Sequence, residues 1–288
     1  MAVKFFGQFL LEKGAVSQEN LLKAVELQET TNLKFGETAL QMGFLSEADV
    51  ERVHVAQRGE DLRFGDMAVK LGLLTEEQMG EILTRQKNNH LHIGEALLQI
   101  GALDESRLGQ YLTDFKADQA PYVTEKIAIP AETPHAPIWE LAADLSYKML
   151  TRVVNLTFRP APCRVITSLP PRDVVAVMDF SGSVSGRYLL AVPVTLQKTV
   201  ARAILNEENI EGEPEEVLDD AIMEFVNIVC GNVAAKSTQL GKTIEIAPPE
   251  MFRPRGQEIA VPEGHRGLLF PIQTVNGEEM DVAIFARR

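Results

Sequence analysis

Cysteine is scarce in this chain, with only Cys163 and Cys230 among 288 residues. The two are far apart and form no Cys-x-x-Cys pair, so a reduced, cytoplasmic setting is the default expectation. Histidine is scarce too, and its five copies do not cluster at metal-ligand spacing. His90 and His92 are two residues apart and would diverge on a helix, so we expect no metal site.

Long apolar runs and an excess of positive charge are also missing. No run reaches the roughly 18 residues that a membrane-spanning helix requires. The first seven residues, Met1 to Gly7, lack the apolar core of a signal peptide. The formal net charge of −13 argues against nucleic acid as a general partner. The length of 288 residues predicts two domains.

Four copies of one glycine pattern fill the first part of the chain. The first glycines stand 29 residues apart, at Gly7, Gly36, Gly65 and Gly94. A second glycine follows each after seven residues, at Gly14, Gly43, Gly72 and Gly101. A helix-capping residue type comes three later, at Ser17, Ser46, Thr75 and Asp104. Each copy predicts a short helix, a left-handed glycine stop and a longer helix. Such hairpins must stack on their neighbours to bury their apolar faces, so residues 1–116 are predicted to be an all-α repeat domain.

These repeats resemble the MshEN domain found at the N-termini of type II secretion and pilus ATPases. That family's motif begins Arg-Leu-Gly and ends in Gln, and it binds cyclic di-GMP. The third copy here is nearest, with Arg63-Phe64-Gly65, Gly72 and Gln86. The second copy has Lys34-Phe35-Gly36, Gly43 and Gln57, whereas the first and fourth lack the basic residue. The resemblance implies that these ten residues form a cyclic di-GMP site. Because any helical-hairpin repeat needs the same glycines, a purely structural or protein-binding module is the alternative.

The second part of the chain changes character after a proline-bearing linker, predicted at residues 117–136. An amphipathic helix is predicted at about 137–154, and further segments alternate between strand-rich and helical patterns. The predicted strands are Cys163–Leu169, Asp173–Phe180, Ser185–Pro193, Thr243–Ile246, Gly267–Val275 and Met280–Ala286. Asn276-Gly277 predicts a hairpin turn between the last two strands. We therefore predict an α+β domain with an antiparallel-rich sheet over residues 137–288.

The most informative segment is a long helix predicted from Pro214 to about Gly241. Asp220, Glu224, Asn227 and Gly231 follow at steps of four, three and four, which puts them in one stripe roughly 60° wide. The opposite side carries Leu218, Ile222, Phe225, Val229 and Val233, which would anchor the helix to a core. A neutral amide one turn from a carboxylate, followed by a helix-weakening glycine, is an uncommon choice for a solvated face.

This helix resembles the signature helix of the CheC/CheX/FliY phosphatases, which act on phosphorylated CheY-type response regulators. The resemblance rests on Asp220-x-x-x-Glu224-x-x-Asn227, on Gly231-Asn232 and on Pro248-Pro249, and it covers about residues 137–288. The single Glu-x-x-Asn copy in this half makes the CheX type the nearest. A long signature helix on an antiparallel-rich sheet is the fold it implies. A homodimer through this half is left open.

The resemblance also implies roles for these residues. Asn227 would orient the attacking water, and Glu224 would pair with the active-site lysine of the regulator. Asp220, Gly231 and Asn232 would contact the partner. The CheY-like regulator would supply Mg²⁺, and this chain would need no cofactor of its own. A non-catalytic adaptor or sensor that docks a partner through the same helix is the alternative that the sequence leaves open.

Overall fold

The computed structural model describes residues 4–120, 127–207 and 209–288. The described residues fall into two compact units, a helical unit of residues 4–120 and an α+β unit that begins at residue 127. This organisation agrees with the predicted fold class, a helical repeat region followed by an α+β region with an antiparallel sheet and one long helix. In the described residues, no helix is both long enough and apolar enough to cross a membrane.

The helical unit contains two helices from each repeat. They are α1 (Phe6–Glu12), α2 (Gln18–Thr31), α3 (Phe35–Gln41), α4 (Glu47–Gly59), α5 (Phe64–Lys70), α6 (Glu76–Asn89), α7 (Ile93–Gln99) and α8 (Glu105–Gln119). Each short helix ends at a glycine with φ between 64° and 71°, a left-handed conformation that glycine adopts without strain. The predicted capping residues also act as caps, since Ser17, Ser46, Thr75 and Asp104 each accept a hydrogen bond from the backbone three residues on.

The four repeats pair in an order that the periodicity does not reveal. Repeats 2 and 3 share one apolar core, which includes Ala39, Val53 and Ile82. Repeats 1 and 4 share a separate core, which includes Phe9, Leu97 and Phe115. The expectation that each repeat stacks on its neighbour in sequence therefore holds only for the central pair.

The α+β unit contains three helices and ten strands among its described residues. The helices are α9 (Ala136–Arg152), α10 (Val194–Leu205) and α11 (Glu215–Ser237), followed by a 3-10 turn at Thr238–Leu240. The strands are β1 (Phe158–Pro160), β2 (Arg164–Ile166), β3 (Ser168–Leu169), β4 (Val174–Gly182), β5 (Gly186–Val192), β6 (Ile244–Ile246), β7 (Glu250–Phe252), β8 (Ile259–Ala260), β9 (His265–Thr274) and β10 (Glu279–Arg287).

One antiparallel sheet organises this unit, in the order β1-β9-β10-β5-β4-β6. Strand β2 also pairs with β9, and β7 also pairs with β4, while β3 and β8 form a small separate ladder. One face of the sheet packs against the helices, in a core that includes Trp139, Tyr188 and Phe225. The other face buries Val175, Leu189 and Phe285 beneath the segments around β3 and β8.

Two boundaries differ from the sequence-based prediction. The predicted strand Cys163–Leu169 is interrupted, because β2 pairs with β9 whereas β3 pairs with β8. The predicted linker 117–136 is also not a uniform connection. Helix α8 continues to Gln119, and Ile127 and Ile129 already pack against the core of the α+β unit. Trp139 is fully buried and donates through Nε1 to the carbonyl of Pro134, which holds the end of the predicted linker against α9.

Candidate docking and catalytic face

Helix α11 crosses the α+β unit with its apolar side in the core. Leu218, Ile222, Phe225, Val229 and Val233 are all buried, as their helical spacing predicts. Glu215 and Glu216 occupy the first turn, where the partial positive charge of the helix N-terminus favours acidic side chains. The side away from the core is a narrow strip, and the predicted stripe lies on it. Asp220 and Glu224 are exposed, and Asn227 and Gly231 are half-buried.

Glu224 and Asn227 are in direct contact on this strip. The Asn227 side-chain amide donates from Nδ2 to Glu224 Oε2 over 3.3 Å. The bond is long for an N–H···O contact and uses one of the two N–H groups. It leaves the carbonyl Oδ1 and the second N–H for an incoming group. An amide held in this way can contact both a hydrogen-bond donor and an acceptor, which is what orienting a water molecule requires.

Gly231 lies one turn beyond Asn227, in the middle of a 23-residue helix. A Cβ at this position would meet no atom within 4 Å outside the local helix backbone and its chain neighbours. The packing of this chain therefore does not require glycine, although glycine in a helix interior costs roughly 0.5–1 kcal/mol relative to alanine. Packing within this chain therefore does not explain the open space at Gly231, beside Asn227. The space agrees with the close approach of another molecule.

Asn232, predicted to contact a partner, does not lie on this strip. The residue is 7% exposed and faces the core side of α11. Its amide donates from Nδ2 to the carbonyl of Ile228 in the same helix, over 2.8 Å. A step of five residues from Asn227 turns the side chain by about 140° away from the stripe, which is the geometric reason.

A cluster of polar and charged side chains, here called the joint, connects the start of α11 to the neighbouring elements. The sequence does not predict it. Arg253 follows β7 directly and donates to two carboxylates of α11, from Nε to Glu215 Oε1 over 2.7 Å and from Nη2 to Asp219 Oδ1 over 2.9 Å. Gln197 of α10 donates to the same Asp219 oxygen over 2.7 Å. The hydrogen bond to Asp219 raises the pKa of Arg253 despite partial desolvation. Asp219 precedes Asp220 of the stripe, but its own partners are far away in sequence, so no local motif indicates the joint.

The predicted nucleotide site falls on the pairing of repeats 2 and 3. Lys34 and Arg63 are exposed N-cap residues of α3 and α5. The rings of Phe35 and Phe64, which follow them, lie 5.7 Å apart at the junction of the two repeats. The His54 ring packs on Phe64 at 5.2 Å. Desolvation lowers the pKa of His54, and the charges of Lys34 and Arg58 lower it further against the opposing charge of Glu51. Each ring of this aromatic pair thus follows an exposed basic N-cap residue in the chain.

The glutamines at the end of the first three repeats donate hydrogen bonds to backbone carbonyls of the paired repeat. Gln57 is only 3% exposed and donates from Nε2 to the Leu62 carbonyl over 2.7 Å. Gln86 donates to Leu33 and Gln28 to Leu91 in the same way, each across to the paired repeat. In every case the accepting carbonyl lies three residues before the first glycine of that repeat. Gln57, predicted as a nucleotide contact, is therefore a buried side chain that uses one N–H group to join the paired repeats.

The predicted glycines have structural reasons as well. A Cβ on Gly65 would come within 3.0 Å of Met79, and one on Gly36 within 3.3 Å of Val50. Each short helix thus lies against the apolar residue fourteen positions later in its own repeat. Gly43 and Gly72 have φ near +70° and end their helices. Gln86 remains half-buried and lines a cleft of about 230 Å³, together with Thr38, Arg85 and His90.

Comparison with known proteins bears on the α+β unit. The model of the family described as chemotaxis phosphatase CheX matches residues 174–273. This range includes α11 and the whole stripe from Asp220 to Gly231. The match does not extend to the helical repeats, whose likeness to MshEN stays a prediction. No curated protein matches the chain.

Several solved structures are similar to this chain at low identity. A CheX protein from Desulfovibrio desulfuricans is 20% identical, with 52% of this chain and 99% of that chain covered and a TM-score of 0.47. A CheC-like protein from a Shewanella species is 18% identical, with 54% and 100% covered and a TM-score of 0.48. A complex of CheX with CheY, BeF₃ and Mg²⁺ from Borrelia burgdorferi is 20% identical, with 52% and 98% covered and a TM-score of 0.45. On the family match, residues 174–273 of this chain are similar to the CheX family.

Proposed function

We propose that this protein is a phosphatase that hydrolyses the aspartyl phosphate of a CheY-like response regulator. The observation that carries the proposal is the Glu224–Asn227 pair, hydrogen-bonded on the exposed strip of α11 within the residues that match the CheX family. That family is named for chemotaxis phosphatases. Two isolated cysteines agree with a cytoplasmic setting, in which such regulators would be met.

The chemistry that this pair can supply is positional. A water oxygen attacks phosphorus, the bond from phosphorus to the aspartyl oxygen breaks, and inorganic phosphate and a free carboxylate result. Asn227 would accept a hydrogen bond from that water through Oδ1 and keep it in line with the breaking bond. Glu224 would contact a cation of the regulator and fix the register of docking. The regulator would bring Mg²⁺, so most of the electrostatic stabilisation would come from its own site.

Phosphate release from phosphorylated receiver domains tests this proposal. The panel should contain every CheY-type receiver encoded in the same genome, each incubated with and without the protein. We expect at least one receiver to lose its phosphoryl group faster when the protein is present. If a receiver binds the protein without faster release, the adaptor alternative holds. If no receiver is either bound or dephosphorylated, both readings are wrong.

We also propose that the helical unit binds cyclic di-GMP at the junction of repeats 2 and 3. The specific observation in favour is the Phe35–Phe64 pair with exposed Lys34 and Arg63 beside it, on a chain whose net charge is negative. Calorimetry with parent protein and with the Lys34→Ala and Arg63→Ala variants tests this directly. His92→Ala is the matched control, because His92 holds the equivalent N-cap position in repeat 4. Absence of heat at high nucleotide concentration would leave the repeats as a structural or protein-binding module.

A further inference from the structure

The joint at the start of α11 fixes that helix to the sheet by two separate routes. The first route runs through Arg253, which follows β7, and β7 pairs with β4 from Val175 to Val177. The second runs through α10, which carries Gln197. The first backbone amide of α10, that of Val194, donates to Oδ2 of Asp173, the residue directly before β4. Both routes start at β4 and meet at one carboxylate oxygen, Asp219 Oδ1.

These contacts are directional, whereas the contacts on the core side of α11 are not. Apolar burial is non-directional and depends on the area removed from water. Hydrogen bonds from a guanidinium to two carboxylates require a defined geometry. Glu215 and Asp219 are four residues apart, so the guanidinium contacts two successive turns and adds a constraint on the rotation and axial position of the start of the helix.

The catalytic pair lies a short distance further along the same rigid helix. Glu224 and Asn227 follow Asp219 by five and eight residues, or roughly 8 and 12 Å along the axis. A rotation of about 10° moves a side-chain tip lying about 5 Å from the axis by roughly 1 Å. A misplacement of that size can cost about 10²-fold in rate when catalysis consists of positioning.

We propose that Arg253 is a positioning residue, which acts through Glu215 and Asp219 to set the orientation of Glu224 and Asn227 towards a docked regulator. This inference rests on the proposed phosphatase function for its catalytic consequence. Its structural part, that Arg253 sets the geometry of Asn227, stands on the contacts alone. Arg253 touches neither member of the pair and makes no chemical contribution of its own.

The test compares Arg253→Gln with Arg187→Gln in the full-length protein. Arg187 is the matched control, because it also binds a carboxylate through Nε and Nη2, that of Asp179, and lies in the same sheet without bonding to α11. For Arg253→Gln we expect kcat for receiver dephosphorylation to fall about tenfold with a smaller change in KM. Arg253→Lys should restore part of the loss, since one ammonium can reach one carboxylate. Arg187→Gln should leave kcat as in the parent.

A second readout does not depend on activity. The ¹H–¹⁵N signals of the Asn227 side-chain amide, assigned by their loss in Asn227→Asp, should shift in Arg253→Gln and stay in place in Arg187→Gln. If Arg253→Gln does not fold, Glu215→Gln removes one of the two carboxylates at an exposed site and should give a smaller change of the same kind.

Unchanged kcat and unchanged Asn227 signals in Arg253→Gln, with only the melting temperature lowered, would overturn the inference. A parent protein without phosphatase activity on any receiver would instead overturn the proposed function. In that case the Asn227 signals still decide whether Arg253 positions the pair.

Discussion

Among single residues, Gly231 offers a test in which stability and function should change in opposite directions. Its Cβ position is open, so alanine fits without displacing any neighbour. Gly231→Ala should therefore raise the free energy of unfolding by about 0.5–1 kcal/mol. The same methyl group fills the gap beside Asn227, so binding to the regulator should weaken. Thermal melting and a titration with a phosphorylated receiver measure the two effects.

Gly109→Ala is the control for that experiment. Gly109 also lies inside a helix, α8, with an open Cβ position, but in the helical unit. Gly109→Ala should stabilise α8 without changing the affinity for the receiver. If Gly231→Ala stabilises the protein and binds the receiver as tightly as the parent, the strip around Gly231 is not the docking surface.

Glu224 should act on encounter with the regulator more than on the chemical step. Its carboxylate is exposed, and the next basic residue along α11 is Lys236, about three turns away. Glu224→Ala should raise KM and flatten the dependence of kcat/KM on ionic strength, because one attractive charge is lost. Steady-state kinetics at several salt concentrations measures this. If kcat/KM of Glu224→Ala depends on ionic strength as in the parent, other acidic residues attract the regulator.

At the scale of elements, the repeat helices owe their pairing to side chains that reach across repeats. Gln57→Ala should lower the stability of the helical unit by about 1–3 kcal/mol, since the Leu62 carbonyl loses its donor in a partly buried place. Gln41→Ala, at an exposed position of α3, should change stability by less than about 0.5 kcal/mol. Urea unfolding of the full protein, followed by helical circular dichroism, compares the two variants. Equal urea midpoints for the two variants would show that the Gln57 side chain does not stabilise the helical unit.

The elements also show what a sequence can predict and what it cannot. Helices with strong caps and a glycine stop were predicted, because Ser46, Gly43 and their equivalents act on adjacent backbone. Strands β1, β7 and β8 were missed, since each has only two or three residues and no alternation to detect. The pairing of repeats 1 and 4 was not predictable from a pattern that all four share. The one indication was Phe115, which replaces the glutamine and packs on Phe6 and Phe9.

The sequence predicts the part of the candidate site that depends on helical periodicity alone. Asp220, Glu224, Asn227 and Gly231 share the exposed strip because steps of three and four residues return to one side of a helix. The joint of Arg253 with Asp219 was missed, because it joins residues 34 positions apart in sequence. Asn232 lies off the strip because neighbouring residues of a helix point about 100° apart, so adjacency to Gly231 in the motif is not adjacency on the surface.

For the whole molecule, each described apolar core lies entirely within one unit. The cores around Phe9 and Ile82 belong to residues 4–120, and those around Phe225 and Phe285 belong to residues 127–288. We expect fragments that end at Ala120 and begin at Ile127 to fold separately, each with its own cooperative thermal transition. Circular dichroism of the two fragments measures this. Unfolded fragments would mean that the units depend on one another.

The most direct test of the central claim is a single-turnover measurement with a phosphorylated receiver that the protein binds. Saturating parent protein and saturating Asn227→Ala are each mixed with the receiver, and loss of the aspartyl phosphate is followed in time. On the proposed mechanism the half-buried Asn227 amide positions the water, so the variant should bind the receiver as the parent does and release phosphate roughly 10²-fold more slowly. Equal rates for the two proteins would show that α11 is only a docking surface and would contradict the assignment of Asn227 to catalysis.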